Sequence, residues 1–233
     1  MILYVNGDSH AAAAEAVNLH AFACDDGHLF YMGRAPHPEN LAVSWGKRLS
    51  NALNASFHCG AESASSNTRI IRTTKDWLAK IHNLDEVLVV VQWSTWEREE
   101  WLIDDVYYQV GASGIDDVPD ASKQRYKEYV VGVNWDEKVV TAHNNIWKFH
   151  NELIKLGVKH IFFNGNNDFS KITTRKDWGT SYIDPYNADG TYNARIRAAG
   201  IQTVSPESWH FGKDGHVFWN RFMLNYIINN IKI

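Results

Sequence analysis

The first residue with chemical potential is a serine close behind an apolar run. Gly7-Asp8-Ser9 follows Ile2 to Asn6 and precedes His10 and the run Ala11 to Ala14. Residues 2–6 read as a short buried strand, and alanine is the strongest helix former. The order is therefore strand, tight turn, helix, with Ser9 at the helix entrance. A serine hydroxyl is a poor nucleophile near neutral pH. It needs a base within hydrogen-bond reach and donors for a developing oxyanion. A strand-turn-helix junction exposes the side chain at the carboxyl edge of a sheet, and the helix N-terminus adds N–H groups and positive potential. A serine at that place also serves as a plain helix cap, so the tripeptide alone leaves both roles open.

Other reactive residue types are sparse or unpatterned. Cys24 and Cys59 are the two cysteines. They form neither a disulfide framework nor a zinc spacing and read as ordinary reduced thiols. His10, His20, His28 and His37 show no H-E-x-x-H or comparable ligand spacing, so neither a metal nor a cofactor is expected. Trp93, Trp96, Trp101 and Trp209 suit an aromatic cleft or core and rim packing equally well.

The elements that must position these residues follow from periodicity. Residues 44–53 have a helical spacing through Trp45, Leu49 and Leu53, and 55–59 suit a second strand. A helix is expected over 68–81. Val87 to Val91 is continuously apolar, the pattern of a parallel strand buried on both faces. A long helix over 139–156 ends at Gly157. Strands are expected at 159–164 and 201–204, and a closing helix at 215–231. Asp25-Asp26-Gly27 and Pro36-His37-Pro38 are loop signals, and 104–138 reads as an irregular insertion or lid. Alternating strands and helices give an α/β fold, a three-layer α/β/α sandwich with a parallel sheet of about five strands, as one domain over 1–233.

Bulk properties narrow the function classes. The chain has 233 residues, 45% hydrophobic and 21% charged, with a formal net charge of −4. That composition supports a substantial core and argues against wholesale disorder. Lys and Arg occur as isolated pairs such as Lys47-Arg48, so phosphate-driven nucleic-acid binding is not expected. No apolar run approaches a membrane span, and the first residues are too short for a signal segment. A soluble, cytoplasmic protein with no membrane partner is expected; the oligomeric state is open.

Two blocks at opposite ends of the chain resemble the SGNH, or GDSL, hydrolases, and a middle block is similar to divergent, phage-like members. Gly7-Asp8-Ser9 resembles the family's nucleophile block. Glu207-Ser208-Trp209-His210, with Gly215 and His216 behind it, resembles its C-terminal Asp-x-x-His block. The resemblance implies Ser9 as nucleophile, His210 as base and Glu207 as the supporting carboxylate, with Asp214 as the other nearby acid or a helix-entry residue. It implies oxyanion donors in a second block, at Gly60 or in the turn Ala64-Ser65-Ser66-Asn67, where Ala64 replaces a glycine. A third block follows the third strand, where Ser94 or Thr95 stands in place of the usual asparagine. A literal Gly165-Asn166-Asn167-Asp168 comes one strand later. Strand order favours Ser94 or Thr95, with Asn166 and Asn167 as the alternative. The implied reaction is hydrolysis of small acyl esters, on carbohydrates among others, with a small-molecule or glycan ester as partner. A catalytically silent binding module and an acyltransferase on the same fold are the alternatives.

Overall fold

A computed structural model describes residues 1–23, 34–111, 114–115 and 118–231. Cys24, the Asp25-Asp26-Gly27 loop signal and His28 lie outside the described residues. The main sheet has five parallel strands in the order β2-β1-β3-β6-β7: β1 is Ile2–Asn6, β2 Ser56–Cys59, β3 Val87–Trp93, β6 Lys159–Asn164 and β7 Tyr182–Ile183. In register, Leu3 lies beside Phe57 and Leu88, and Val90 beside Ile161. A separate antiparallel hairpin pairs β4 (Glu99–Ile103) with β5 (Val106–Val110).

β3 is buried at all seven positions, as its unbroken apolar run requires, because helices cover both faces of the sheet. On one face Leu3, Val5, Leu88, Val90, Ile161 and Phe163 meet α2 (Trp45–Ala52) and α7 (Lys213–Asn230) through Trp45, Leu49, Trp219 and Met223. On the other, Val89, Val91 and Phe162 meet α3 (Asn67–Leu78) and α5 (Trp135–Lys155) through Ile70, Ile146 and Phe149. The short helices α1 (Pro38–Val43), α4 (Lys123–Gly132) and α6 (Tyr192–Ala198) complete the chain. No helix among the described residues is long and apolar enough to cross a membrane.

Three expected elements differ. No α-helix follows Ser9. Residues 9–15 are successive turns, closed by Ala12 N–H to the Asp8 carbonyl at 3.0 Å and Ala14 N–H to the Ser9 carbonyl at 2.9 Å. Ala13 and Glu15 take left-handed backbone angles, φ 57° and 63°, which end any helix. Ala11 to Ala14 are small because they are buried in a close approach, not because they propagate a helix. A Cβ added at Gly7 would lie 2.7 Å from Ala11 Cβ. Packing has overridden local propensity here.

The fifth strand is β7, not 201–204. There, only an isolated bridge joins Thr203 to Phe211. The 104–138 stretch, expected to be irregular, contains β5 and α4. Tyr126 Oη accepts from Gly114 N–H at 2.7 Å and donates to the Gly111 carbonyl at 2.7 Å, pinning α4 to the hairpin.

Candidate active site

Parallel strands carry their loops out at the carboxyl edge, and ligands of open α/β sheets bind there. The turns after β1, β3 and β6 meet at that edge around a cleft of about 710 Å³, lined among others by Ser9, His10, Ala64, Thr95, Asn166 and His210. Ser9 and His210, near opposite ends of the sequence, thus face one space. Ser9 is 8% exposed, and its hydroxyl makes no hydrogen bond among the described residues.

The carboxylate that reaches His210 is Glu15. Its Oε2 lies 3.0 Å from His210 Nδ1 and also accepts from Ser208 Oγ at 2.5 Å, while Ser208 Oγ in turn accepts from His210 N–H at 3.0 Å. Burial works against the charge of Glu15, but Ser208 and His210 outweigh it and hold the carboxyl below its usual range. Glu207 is exposed to solvent and is not the carboxylate at His210 Nδ1, a place that Glu15 takes. Asp214 is exposed in the first turn of α7, a helix-entry position. His216 is buried and accepts from Trp45 N–H at 3.3 Å. Gly215 is required by packing, since a Cβ there would lie 2.5 Å from Phe211 Cβ.

Asp8 anchors the turn that carries Ser9 from below. It is 1% exposed and accepts from Gln92 Nε2 at 2.8 Å, from His10 N–H at 3.0 Å and from Arg98 Nη1 at 3.3 Å. Burial opposes its ionisation, but His10, Arg98 and Gln92 together keep its carboxyl below the ordinary value. His10 is pushed down to about 4, first by burial and then by His210, Arg98 and Arg197, against the pull of Asp8. It is neutral at physiological pH. Its Nε2 stands 3.4 Å from Asn166 Nδ2 and 3.3 Å from Asn193 Nδ2, and its ring is 5.3 Å from that of His210.

The second block is represented in the cleft by Ala64, whose φ of 63° is the left-handed value a glycine adopts freely. Its N–H makes no hydrogen bond among the described residues. Gly60 lies outside the cleft, beneath Tyr4, where a Cβ would fall 2.1 Å from the Tyr4 hydroxyl. Asn67 is also outside, a brace between blocks: Oδ1 accepts from Ser94 N–H at 2.9 Å and Nδ2 donates to the Ser94 carbonyl at 3.2 Å. Arg69 fixes the loop from within, donating to the Gly60 carbonyl at 2.9 Å and to Glu62 Oε2 at 2.7 Å.

Of the third-block residues, Ser94 is 1% exposed, accepts from Arg98 Nη1 at 2.9 Å and does not line the cleft. Thr95 lines the cleft, but its Oγ1 donates to Glu97 at 2.8 Å. Asn166 and Asn167, ranked second by strand order, both line the cleft with Ser9. Alignment by strand order fails here because the loop after β6 folds over the edge of β3: Gly165 N–H donates to the Trp93 carbonyl at 3.0 Å, and Asn193 N–H to the Gly165 carbonyl at 3.1 Å. Of the four tryptophans considered, Trp209 lines the cleft. Trp93 is core, Trp96 stacks on Phe169 at 4.6 Å, and Trp101 is buried in the hairpin cluster. Glu15, His10, Arg98, Asn193 and Arg197 carry no motif signal and were not anticipated; Asn166 was visible as part of the literal Gly-Asn-Asn-Asp.

A family model described as a family of unknown function (DUF6071) matches residues 36–158, just over half of the chain. No curated protein matches. The solved structure of TesA superposes over 100% of this chain and 98% of its own, with a TM-score of 0.52 at 12% identity. An acetyl xylan esterase (Est2A) from the rumen bacterium Butyrivibrio proteoclasticus matches at TM-score 0.48 and 12% identity, over 97% of this chain; the chain spans 63% of that protein. A member of the lipolytic protein G-D-S-L family from Veillonella parvula matches at TM-score 0.44 and 12% identity, over 99% of this chain and 98% of its own. The fold is that of the SGNH hydrolases.

Proposed function

Because the chain belongs to the family of unknown function DUF6071 and has the SGNH-hydrolase fold, we propose that it is a serine esterase cleaving small acyl esters, with Ser9 as nucleophile. The observation that carries this reading is the shared cleft of Ser9 and His210, with Glu15 at His210 Nδ1. Ser9 Oγ attacks the acyl carbonyl and passes its proton to His210 Nε2. Glu15 keeps the imidazole turned and stabilises its charged form, the part an acid plays in a Ser-His-Asp triad. Collapse of the tetrahedral intermediate breaks the ester bond, and His210 returns the proton to the leaving alkoxide. Water, deprotonated by His210, then attacks the acyl-serine; release of the carboxylic acid restores Ser9.

Ala64 N–H, Ser9 N–H and the Asn166 side-chain amide are the proposed oxyanion donors. Ala64 and Asn166 face the cleft, and preorganised donors at that place carry the largest share of acyl-transfer catalysis. Residues 1–233 act as one domain on this reading. The 104–138 stretch serves to brace the site, since Gln109 Nε2 donates to Glu62 Oε1 at 3.0 Å behind the Ala64 loop.

The test is labelling with a fluorophosphonate, together with turnover of 4-nitrophenyl acetate by wild type, Ser9→Ala and His210→Ala. Labelling and turnover that vanish in both variants support the esterase. Turnover that persists in Ser9→Ala overturns the nucleophile. No labelling and no turnover favours a binding module. Labelling with transfer to an added alcohol, in place of hydrolysis, favours an acyltransferase.

A further inference from the structure

The cleft keeps one arginine without a carboxylate partner among the described residues, in a chain whose formal net charge is −4. Two arginines line it. Arg98 is engaged, donating to Asp8 at 3.3 Å and to Ser94 at 2.9 Å. Arg197, exposed on α6, has no carboxylate partner among the described residues. Its guanidinium carbon lies 6.0 Å from the ring centre of Trp209 and 5.7 Å from that of Phe211. Among the described residues the carboxylates nearby are spoken for: Asp8 by Arg98 and Gln92, Glu15 by His210 and Ser208. The guanidinium therefore stands at the cleft with its planar donor fork free, the geometry that takes a carboxylate in two parallel hydrogen bonds.

A second set of observations concerns neutral polar groups. Asn193 is 8% exposed and His10 4%, yet Asn193 Oδ1 and His10 Nδ1 make no hydrogen bond among the described residues, and Asn167 Oδ1 is likewise buried and unpaired. Turning either amide over only exchanges which of its polar atoms is unpaired. Buried polar atoms without partners are costly, and the three residues that carry these line one cleft. They call for a ligand rich in hydroxyls, which both donate and accept. Beside them Trp209, 69% exposed, offers a flat apolar face to the cleft. Tryptophan is well suited to the C–H face of a sugar ring, with hydroxyls directed elsewhere.

We propose that the cleft binds an acyl ester of an acidic sugar, with the sugar carboxylate on Arg197, the ring against Trp209 and its hydroxyls on Asn167, Asn193 and His10. This deepens the esterase reading and rests on it. A neutral sugar ester would leave Arg197 unused, and an anionic ester without hydroxyls would leave Asn193, Asn167 and His10 unpaired.

The experiment compares O-acetylated glucuronic acid with O-acetylated glucose, in wild type and Arg197→Gln, at low and high salt. Wild type prefers the acid in kcat/KM by about tenfold or more, the effect of one charge-assisted contact. The preference collapses in Arg197→Gln and shrinks as salt screens it. Equal rates on the two sugars, or a preference that Arg197→Gln leaves in place, overturn the proposal. If Ser9 takes the fluorophosphonate but neither sugar is cleaved, the substrate class is wrong and the esterase stands. If there is no labelling and no turnover, the esterase fails, and calorimetric titration with free glucuronate and glucose decides the anion site. Selective binding of glucuronate that Arg197→Gln abolishes upholds it; no binding, or equal binding, removes it.

Discussion

His210 Nδ1 lies 3.0 Å from Glu15 Oε2, so the carboxylate behind the histidine is supplied from the turn that also carries Ser9. Ser9 and Glu15 then move as one short segment, and only the histidine must be brought in from far along the chain. Glu15 holds this place in a left-handed conformation, φ 63°, which a glutamate adopts at a cost. Replacing Glu15 by Gln lowers kcat/KM on an activated ester by about 10²–10⁴-fold, by analogy with loss of a triad acid. Glu207→Gln leaves it within a few-fold. Steady-state hydrolysis of 4-nitrophenyl acetate ranks the two, and the reverse ranking returns the acid to position 207.

The oxyanion assignment separates in the same way. Asn166→Ala reduces kcat by about 10²–10³-fold, with KM changed less, because the lost contact belongs to the transition state. Thr95→Val has a small effect, since its hydroxyl is already given to Glu97. A larger loss at Thr95 than at Asn166 would restore the third-block position expected from strand order.

Acid stability follows from three buried histidines. Burial pushes His10 and His160 down to about 4 and His216 down to about 3. Their folded values lie below the unfolded value of about 6.5. The unfolded chain therefore takes up protons first as pH falls. Stability is fully present above about pH 6.5 and is lost progressively toward pH 4. The arrangement at His160 is explicit: Nδ1 stands 2.9 Å from the Val158 carbonyl and Nε2 2.8 Å from His150 Nδ1, two neutral rings in tandem. Urea midpoints at pH 7.0, 5.5 and 4.5, all about the window just named, fall in that order, and His160→Gln makes the decline shallower. A midpoint that stays level through this window contradicts the prediction.

Gly7→Ala tests the close approach beneath the nucleophile turn. The new Cβ would meet Ala11 Cβ at 2.7 Å and Gln92 Cβ and carbonyl oxygen at 3.0 Å. The Ala11 methyl is fixed to its turn and the Gln92 atoms to β3, so neither yields and the variant loses about 1–3 kcal/mol, the usual cost of overpacking. It also loses activity beyond that expected from its folded fraction, because Ser9 moves with Gly7. Denaturant unfolding and turnover on the same samples measure the two effects; a variant with wild-type values of both denies the contact.

The sheet and its covering helices were legible because their signals are physical and local. Val87 to Val91 is apolar at every position because both faces are covered, and α3 and α5 show the periodicity of one buried stripe. Ser9 and His210 were legible as motifs. What the sequence concealed was set by tertiary packing. Ala11 to Ala14 carry a helix former's composition but a close-packing role. β7 is two residues long, too short for any pattern. Glu15 reaches His210 only because the backbone reverses hand at Ala13 and Glu15. Asn166 belongs to a visible Gly-Asn-Asn-Asp, but strand order cannot show that the loop after β6 crosses the end of β3.

The cleft's halves are separated in time as well as in sequence. Synthesis delivers Ser9 and Glu15 first, with β1, and His210 only near the end, just before α7 seats Trp219 and Met223 on the sheet. Contacts of such long sequence separation form late and slowly. If Ser9 is the nucleophile proposed above, a folding intermediate that has built β1, β2 and β3 but not docked the C-terminal segment carries it as an inert alcohol. On the proposed esterase reading, reactivity switches on as a single late event. The recovery of fluorophosphonate labelling during refolding becomes a clock for the last docking step, lagging the return of the sheet's circular dichroism.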